Sequence, residues 1–134
     1  MKIVIDTNTL ISGIFWGERP YEVLDLWING KISLLISEKI LSEYIKVIKE
    51  ISSKKKSFLY EDWEVFILEH SILIQAPSIV NVCRDPGDNI FLDCAISGEA
   101  DYIISGDKDL LELQQIKGIK IVNSSIFLKM MKID

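Results

Sequence analysis

The sequence has 134 residues, 49% of them hydrophobic, with 15 basic and 20 acidic side chains and a formal net charge of −5; these are the proportions of an ordinary globular chain rather than a disordered one. Its uninterrupted apolar runs, such as Leu34-Leu35-Ile36 and Phe66-Ile67-Leu68, fall far short of the roughly 20 residues that span a bilayer. Two cysteines, Cys83 and Cys94, and one histidine, His70, are too few for a disulfide framework or a nitrogen–sulfur metal site. With no basic stretch and long apolar run at its start, the chain is expected to be one reduced cytoplasmic domain over residues 1–134, with no membrane segment.

The elements follow in order. Lys2-Ile3-Val4-Ile5-Asp6 is a short β-branched run ending on an acid, the pattern of a buried parallel strand. Thr7-Asn8 offers cap chemistry for a helix through about Trp16. Pro20 suits the first turn of a second helix, in which Val23, Leu24, Trp27 and Ile28 recur at helical spacing before Gly30 stops it. Ile32 to Ile36 is the next strand, and Ser37 caps a helix from Glu38 to about Ile51 whose core stripe is Ile40, Tyr44, Val47, Ile48 and Ile51. Ser52-Ser53-Lys54-Lys55-Lys56 is a polar break, followed by a helix from Phe58 to about His70 and a third strand from Ile72 to Ile74. Asp85 and Pro86 open a helix that runs to about Glu99. Tyr102 to Ser105 is a fourth strand, Asp109 to Leu113 a short helix, Ile119 to Val122 a fifth strand and Ser124 to Met131 a last helix. Strands separated by helices imply right-handed crossovers. The expected architecture is α/β, three-layered, on a mostly parallel five-stranded sheet.

The net acidity argues against a protein that coats nucleic acid, but where the acids fall matters more than their sum. Ligands of parallel sheets bind beyond the carboxyl ends of the strands. Asp6 ends the first strand, Ser105-Gly106-Asp107 follows the fourth, and Asp88 opens the helix that feeds the fourth. Glu43 lies three residues after Ile40 and four before Val47, on or beside the core-facing stripe of its helix. A carboxylate there must be paired, protonated or bound to a cation. Each acid also has a plainer explanation: Asp6 and Asp107 as helix caps, Asp109 supporting the same helix end, and Asp88 meeting a helix dipole or completing a capping box with Asp85. Capping does not explain Glu43. Four acids on one sheet edge would repel one another unless a divalent ion held them, and all-oxygen ligands select Mg²⁺ or Mn²⁺.

Ile5-Asp6-Thr7-Asn8, Glu43, the run Asp85-Pro86-Gly87-Asp88-Asn89 with Phe91-Leu92-Asp93-Cys94-Ala95, and Ser105-Gly106-Asp107-Lys108-Asp109-Leu110 together resemble the PIN-domain nucleases. More narrowly they resemble the small prokaryotic PIN proteins assigned as toxins of toxin–antitoxin pairs. The resemblance covers essentially the whole chain, and it implies metal-dependent endoribonuclease activity with Asp6, Glu43, Asp88 and Asp107 as the acidic quartet. It also implies supporting roles for Thr7, Asn8, Asp109 and the hydroxyl of Ser105, where the family more often has threonine, and Asp93 falls beside this group. It further implies an RNA substrate, an antitoxin protein as partner and frequent homodimers, for which the apolar helix with Trp63 and Phe66 is the candidate face.

An acidic pocket repels a polyanion, so RNA would be held at the rim, where Arg19, the triplet Lys54-Lys55-Lys56, Arg84 and Lys108 lie near the ends of elements. The plain reading of the triplet is a solvated loop. Trp16, Phe58, Trp63 and Phe66 would stack bases or, at helical spacing, pack in the core or a dimer; His70 would be a surface or helix-end residue. A haloacid-dehalogenase-type phosphotransferase needs a second aspartate two residues after the first, where this chain has Asn8. A response-regulator receiver needs an acid pair near the first strand and a lysine after the last. The remaining alternative is a non-catalytic PIN-like module that binds RNA or protein.

Overall fold

The computed structural model describes residues 1–53 and 62–132 in full and the backbone of 54–55 and 60–61. In chain order the elements are β1 (Lys2–Ile5), α1 (Thr7–Phe15), α2 (Glu18–Ile28), β2 (Ser33–Ile36), α3 (Glu38–Lys55), α4 (Tyr60–His70) and β3 (Ser71–Leu73). A 3-10 turn (Pro86–Asp88) leads into α5 (Asn89–Ser97), then β4 (Tyr102–Ile104), α6 (Lys108–Leu113), β5 (Gln115–Ile116), β6 (Ile119–Val122) and α7 (Ser124–Met131). One sheet runs in the order β3-β2-β1-β4-β6-β5. All neighbours are parallel except β5 against β6.

The central strands are buried on both faces. Ile3, Val4 and Ile5 of β1, Leu34 and Leu35 of β2, and Ile103 and Ile104 of β4 are fully buried, the near-continuous apolar pattern of a sheet covered by helices on each side. β1 lies between β2 and β4, and it pairs with β4, a strand nearly a hundred residues along the chain, through Ile5 and Ile104. Because β1 and β4 are parallel and Ile5 faces Ile104, Asp6 and Ser105, one residue past each strand, lie side by side at the carboxyl edge. Gly13 lets α1 and α2 close together, since a Cβ there would stand 2.6 Å from Leu24 Cδ1 and 3.0 Å from the Pro20 carbonyl.

Three expectations are corrected. Among the described residues the sheet has six strands rather than five. The extra one, β5, is a two-residue edge folded back on β6 through Lys117 and Gly118, whose φ values of 47° and 83° are those of a tight hairpin turn. The cap of α1 is Asp6, which accepts from the Thr9 amide, rather than Thr7 or Asn8. The polar break after Ile51 is helical as far as Lys55, with Ser52 turned inward and buried. The side chains of Lys54, Lys55 and Lys56, and Phe58, lie outside the described residues.

Candidate active site

The carboxyl edge of the sheet opens into a cleft of about 380 Å³, within the range of ligand pockets. It is faced by the carboxylates of Asp6, Glu43, Glu50, Asp85, Asp88, Asp107 and Asp109, against which stands, among the described residues, a single ammonium, Lys46. Thr7, Asn8, Val47 and Phe91 complete its walls. The structure thus brings all four acids of the expected quartet to one cleft, with Asp109, Thr7 and Asn8 beside them.

Asp6 is the most deeply set. It is 4% exposed, its Oδ1 accepts from the Thr9 amide at 2.9 Å, and its Oδ2 accepts from the Ser105 hydroxyl. Burial raises its pKa; the hydrogen bonds from Ser105 and Thr9 oppose that rise, and the charge of Asp107 adds to it. Ser105, itself fully buried, also accepts from the Asp107 amide at 2.9 Å. One hydroxyl therefore ties the ends of β1 and β4 together and sets Asp107 relative to Asp6. Asp107 in turn caps α6, accepting from the Leu110 amide at 3.1 Å.

The other two acids come from helices. Tyr44 donates to the Ile5 carbonyl and is fully buried, with a phenol pKa pushed well above its usual value by burial and by the charges of Asp6, Cys94 and Glu43. That bond pins α3 to the end of β1, so that Glu43, one residue earlier, accepts from the Thr7 hydroxyl. Asp88 makes no capping hydrogen bond; Asp85 is the residue that caps the turn, accepting from the Gly87 amide at 3.0 Å. Partial burial, then the charges of Asp107, Asp85, Asp6 and Glu43, push the Asp88 carboxyl up from 3.8 to about 6. The capping-box reading of Asp88 is thereby set aside.

Among the described residues no three carboxylate, histidine or cysteine side chains stand close enough together to cage an ion as they are. Asp6, Glu43 and Asp107 are each held by a hydroxyl or an amide. The donor set is nonetheless all oxygen and strongly negative, the chemistry of a hard divalent cation.

Asp93 does not line this cleft. Buried at 3% exposure, it accepts from the Ile79 and Val80 amides at 3.1 and 2.8 Å and fixes the loop before the 3-10 turn. Arg84 reaches Asp109 at 3.8 Å with its side chain 81% exposed. Arg19 and Lys108 line a neighbouring cleft rather than this one. His70 stacks on Phe66 with ring centroids 4.1 Å apart and lies at the end of α4. Phe66 and Trp63 pack edge-on, Phe66 meets Trp27 likewise, and Trp16 stands 60% exposed. The apolar residues that α4 exposes are Val65 and Leu68. Sequence reasoning missed Glu50, Lys46 and the cleft-facing role of Asp85. Glu50 lies two turns after Glu43 and was accessible from helical spacing.

The family profile of the PIN domain matches residues 2–109, a span that holds all four acids. An uncharacterized protein of Methanocaldococcus jannaschii is 35% identical over 130 residues, covering 92% of this chain and 82% of that protein. The crystal structure of VapBC2 from Rickettsia felis, bound to a DNA fragment from their promoter, contains a chain of like fold. It matches with a TM-score of 0.60 and 16% identity over 92% of this chain and 98% of that one. No helix among the described residues is long and apolar enough to cross a membrane.

Proposed function

The chain belongs to the PIN-domain family, and on that premise we propose that it is an endoribonuclease dependent on Mg²⁺ or Mn²⁺, with Asp6, Glu43, Asp88 and Asp107 as the residues that hold the cation. One observation carries this reading: among the described residues, seven carboxylates and a single ammonium face one cleft. An arrangement of that kind is costly unless positive charge or protons offset it, and the raised pKa of Asp88 is the local sign of that cost.

A divalent cation in the cleft would acidify water and offset negative charge on a scissile phosphate. The protein's part is to position. Ser105 fixes the rotamer of Asp6 and, through the Asp107 amide, the spacing of the two strand-end acids. Thr7 holds Glu43, and the Tyr44 bond to Ile5 keeps α3 from moving off the strand. Asp88, with neither a cap to make nor a fixed proton near pH 6, is the acid freest to turn toward a cation. Asp109 lines the cleft and pairs with the exposed Arg84, and Asn8 stands at the border with the neighbouring cleft. The only histidine packs against Phe66, so proton transfer falls to water and carboxylates.

In the cell the protein would act as the toxin of a toxin–antitoxin pair, in the cytoplasm. The likeness of fold to VapBC2 supports an antitoxin partner, and the exposed Val65 and Leu68 of α4 support a homodimer face. The test is cleavage of a labelled RNA by the purified protein: cleavage in Mg²⁺ or Mn²⁺ that stops in EDTA is expected. Metal-independent cleavage, or none with any divalent ion, contradicts the reading. A non-catalytic binding module predicts RNA or protein binding that Mn²⁺ leaves unchanged.

A further inference from the structure

A second cleft, of about 540 Å³, adjoins the acid-lined one and shares Asn8 and Asp107 with it as a common wall. Its charge is reversed. Arg19 and Lys108 face it, and Asp107, at the border, is its only acid. Much of its remaining surface is hydroxyl: Thr9 and Ser12 from α1, and Ser124 and Ser125 from the first turn of α7. Ser124 is 9% exposed, yet its hydroxyl has no hydrogen-bond partner among the described residues. Its oxygen is open to water in the cleft rather than sealed off, so a phosphate oxygen can take that water's place. Ser124 and Ser125 stand in the first turn of α7, whose helix dipole favours a nearby anion. Among the described residues the Arg19 guanidinium pairs only with Glu22, at 3.5 Å and exposed on both sides, a bond too weak to keep it from a phosphate.

Resting on the reading of the acid-lined cleft as a nuclease centre, we infer that this second cleft holds the sugar–phosphate of the nucleotide next to the scissile bond. The substrate is single-stranded RNA laid across the wall formed by Asn8 and Asp107. The phosphate to be cut lies on the acidic side, where a cation is required to bring it in. The adjacent phosphate lies on the other side, held by Arg19, Lys108 and the Ser124 hydroxyl. A polyanion is thus attracted only to the half of the groove that does no chemistry, which sets its register on the half that does.

The experiment compares two substrates, the dinucleotide UpU and a five-nucleotide oligouridylate, in Mn²⁺. UpU has one phosphodiester and leaves the second cleft without a phosphate. Arg19→Gln with Lys108→Gln, and separately Ser124→Ala, should raise KM for the longer substrate by about tenfold more than for UpU, with kcat little changed. The first pair alters only exposed side chains and so guards against a variant that fails to fold. Equal losses on both substrates, or none, overturn the inference. A parallel measurement does not depend on cleavage: in EDTA, the oligouridylate should shift the amide resonances of Ser12, Ser124 and Ser125, and Ser124→Ala should weaken the effect. Absent shifts, or the same shifts at the same concentration of inorganic phosphate, overturn it. A wild type that cleaves neither substrate but shows the shifts refutes the nuclease reading and leaves the second cleft as an RNA-backbone site.

Discussion

The acids at the strand ends and the acids on the helices do different structural work. Asp6 and Asp107 each cap a helix, accepting from the Thr9 and Leu110 amides, and Ser105 links the pair. Glu43 and Asp88 cap nothing: one is tied only to the Thr7 hydroxyl, and the other makes no capping bond while its neighbours push its pKa to about 6. A strand-end acid thus has a reason to exist without any ligand. A helix acid facing the same cleft has only a cost. The difference teaches that the site's assembly is read from its capping acids and its function from its uncapped ones.

The largest effect expected from this contrast is on catalysis. Asp6→Asn and Asp107→Asn keep a good capping side chain while removing ligand charge. RNA cleavage should fall by more than the roughly 10–100-fold that groups behind metal ligands are worth, with the melting temperature little changed. The alanine variants should lose the cap as well, about 0.5–2 kcal/mol of stability, measurable by thermal melts. If asparagine destabilises as much as alanine, the capping half of the comparison is broken.

Next in size is the response to metal. Binding to the folded state alone stabilises by about 2.7 kcal/mol at about 100 times the dissociation constant. Mn²⁺ should raise the melting temperature of the wild type and raise that of Glu43→Gln and Asp88→Asn much less, as differential scanning fluorimetry would read. Asp93 supplies the control of similar size. Asp93→Ala removes the acceptor of two part-buried amides, costing about 1–3 kcal/mol, but should leave the Mn²⁺ shift intact, since Asp93 holds a loop rather than facing the cleft.

The smallest effect is one of pH. Asp88 stands at about 6 in the folded protein against an ordinary 3.8, so the folded state holds the proton more tightly. Its contribution makes the metal-free protein lose stability as pH rises from about 4 to about 6, and burial of Asp6 pushes the same way. Asp88→Asn should therefore raise the metal-free melting temperature near neutral pH and flatten that part of the pH profile. A lower melting temperature for Asp88→Asn would return Asp88 to a helix-dipole role.

The strands were legible because β-branched runs such as Lys2–Ile5 and Ile119–Val122 admit few other readings. Helix starts were legible where a polar residue precedes an apolar period, as at Ser37, whose hydroxyl accepts from the Ile40 amide, and at Asp85. The end of α3 was not: a serine can turn inward, and Ser52 does so against its polar character. β5 was missed because two residues carry no period, although Lys117-Gly118 was a turn signal. Within the acid-lined cleft, charge made the four acids visible one by one. What sequence alone did not reveal is the network of hydroxyls that fixes them. Thr7, Ser105 and Tyr44 acquire their meaning from pairings across 36, 99 and 39 residues. Arg19 and Lys108 were expected at an RNA-holding rim, but the cleft they share with the serines was not legible, since its residues come from α1, α2, α6 and α7.

The most direct measurement is single-turnover cleavage of a labelled RNA in Mn²⁺ by the wild type and by the Asp6→Asn, Asp107→Asn double variant, prepared identically and matched by melting temperature. Cleavage by the wild type that is lost in the folded double variant is the result expected of a carboxylate-held cation at the sheet edge. Equal cleavage by the two proteins would contradict it.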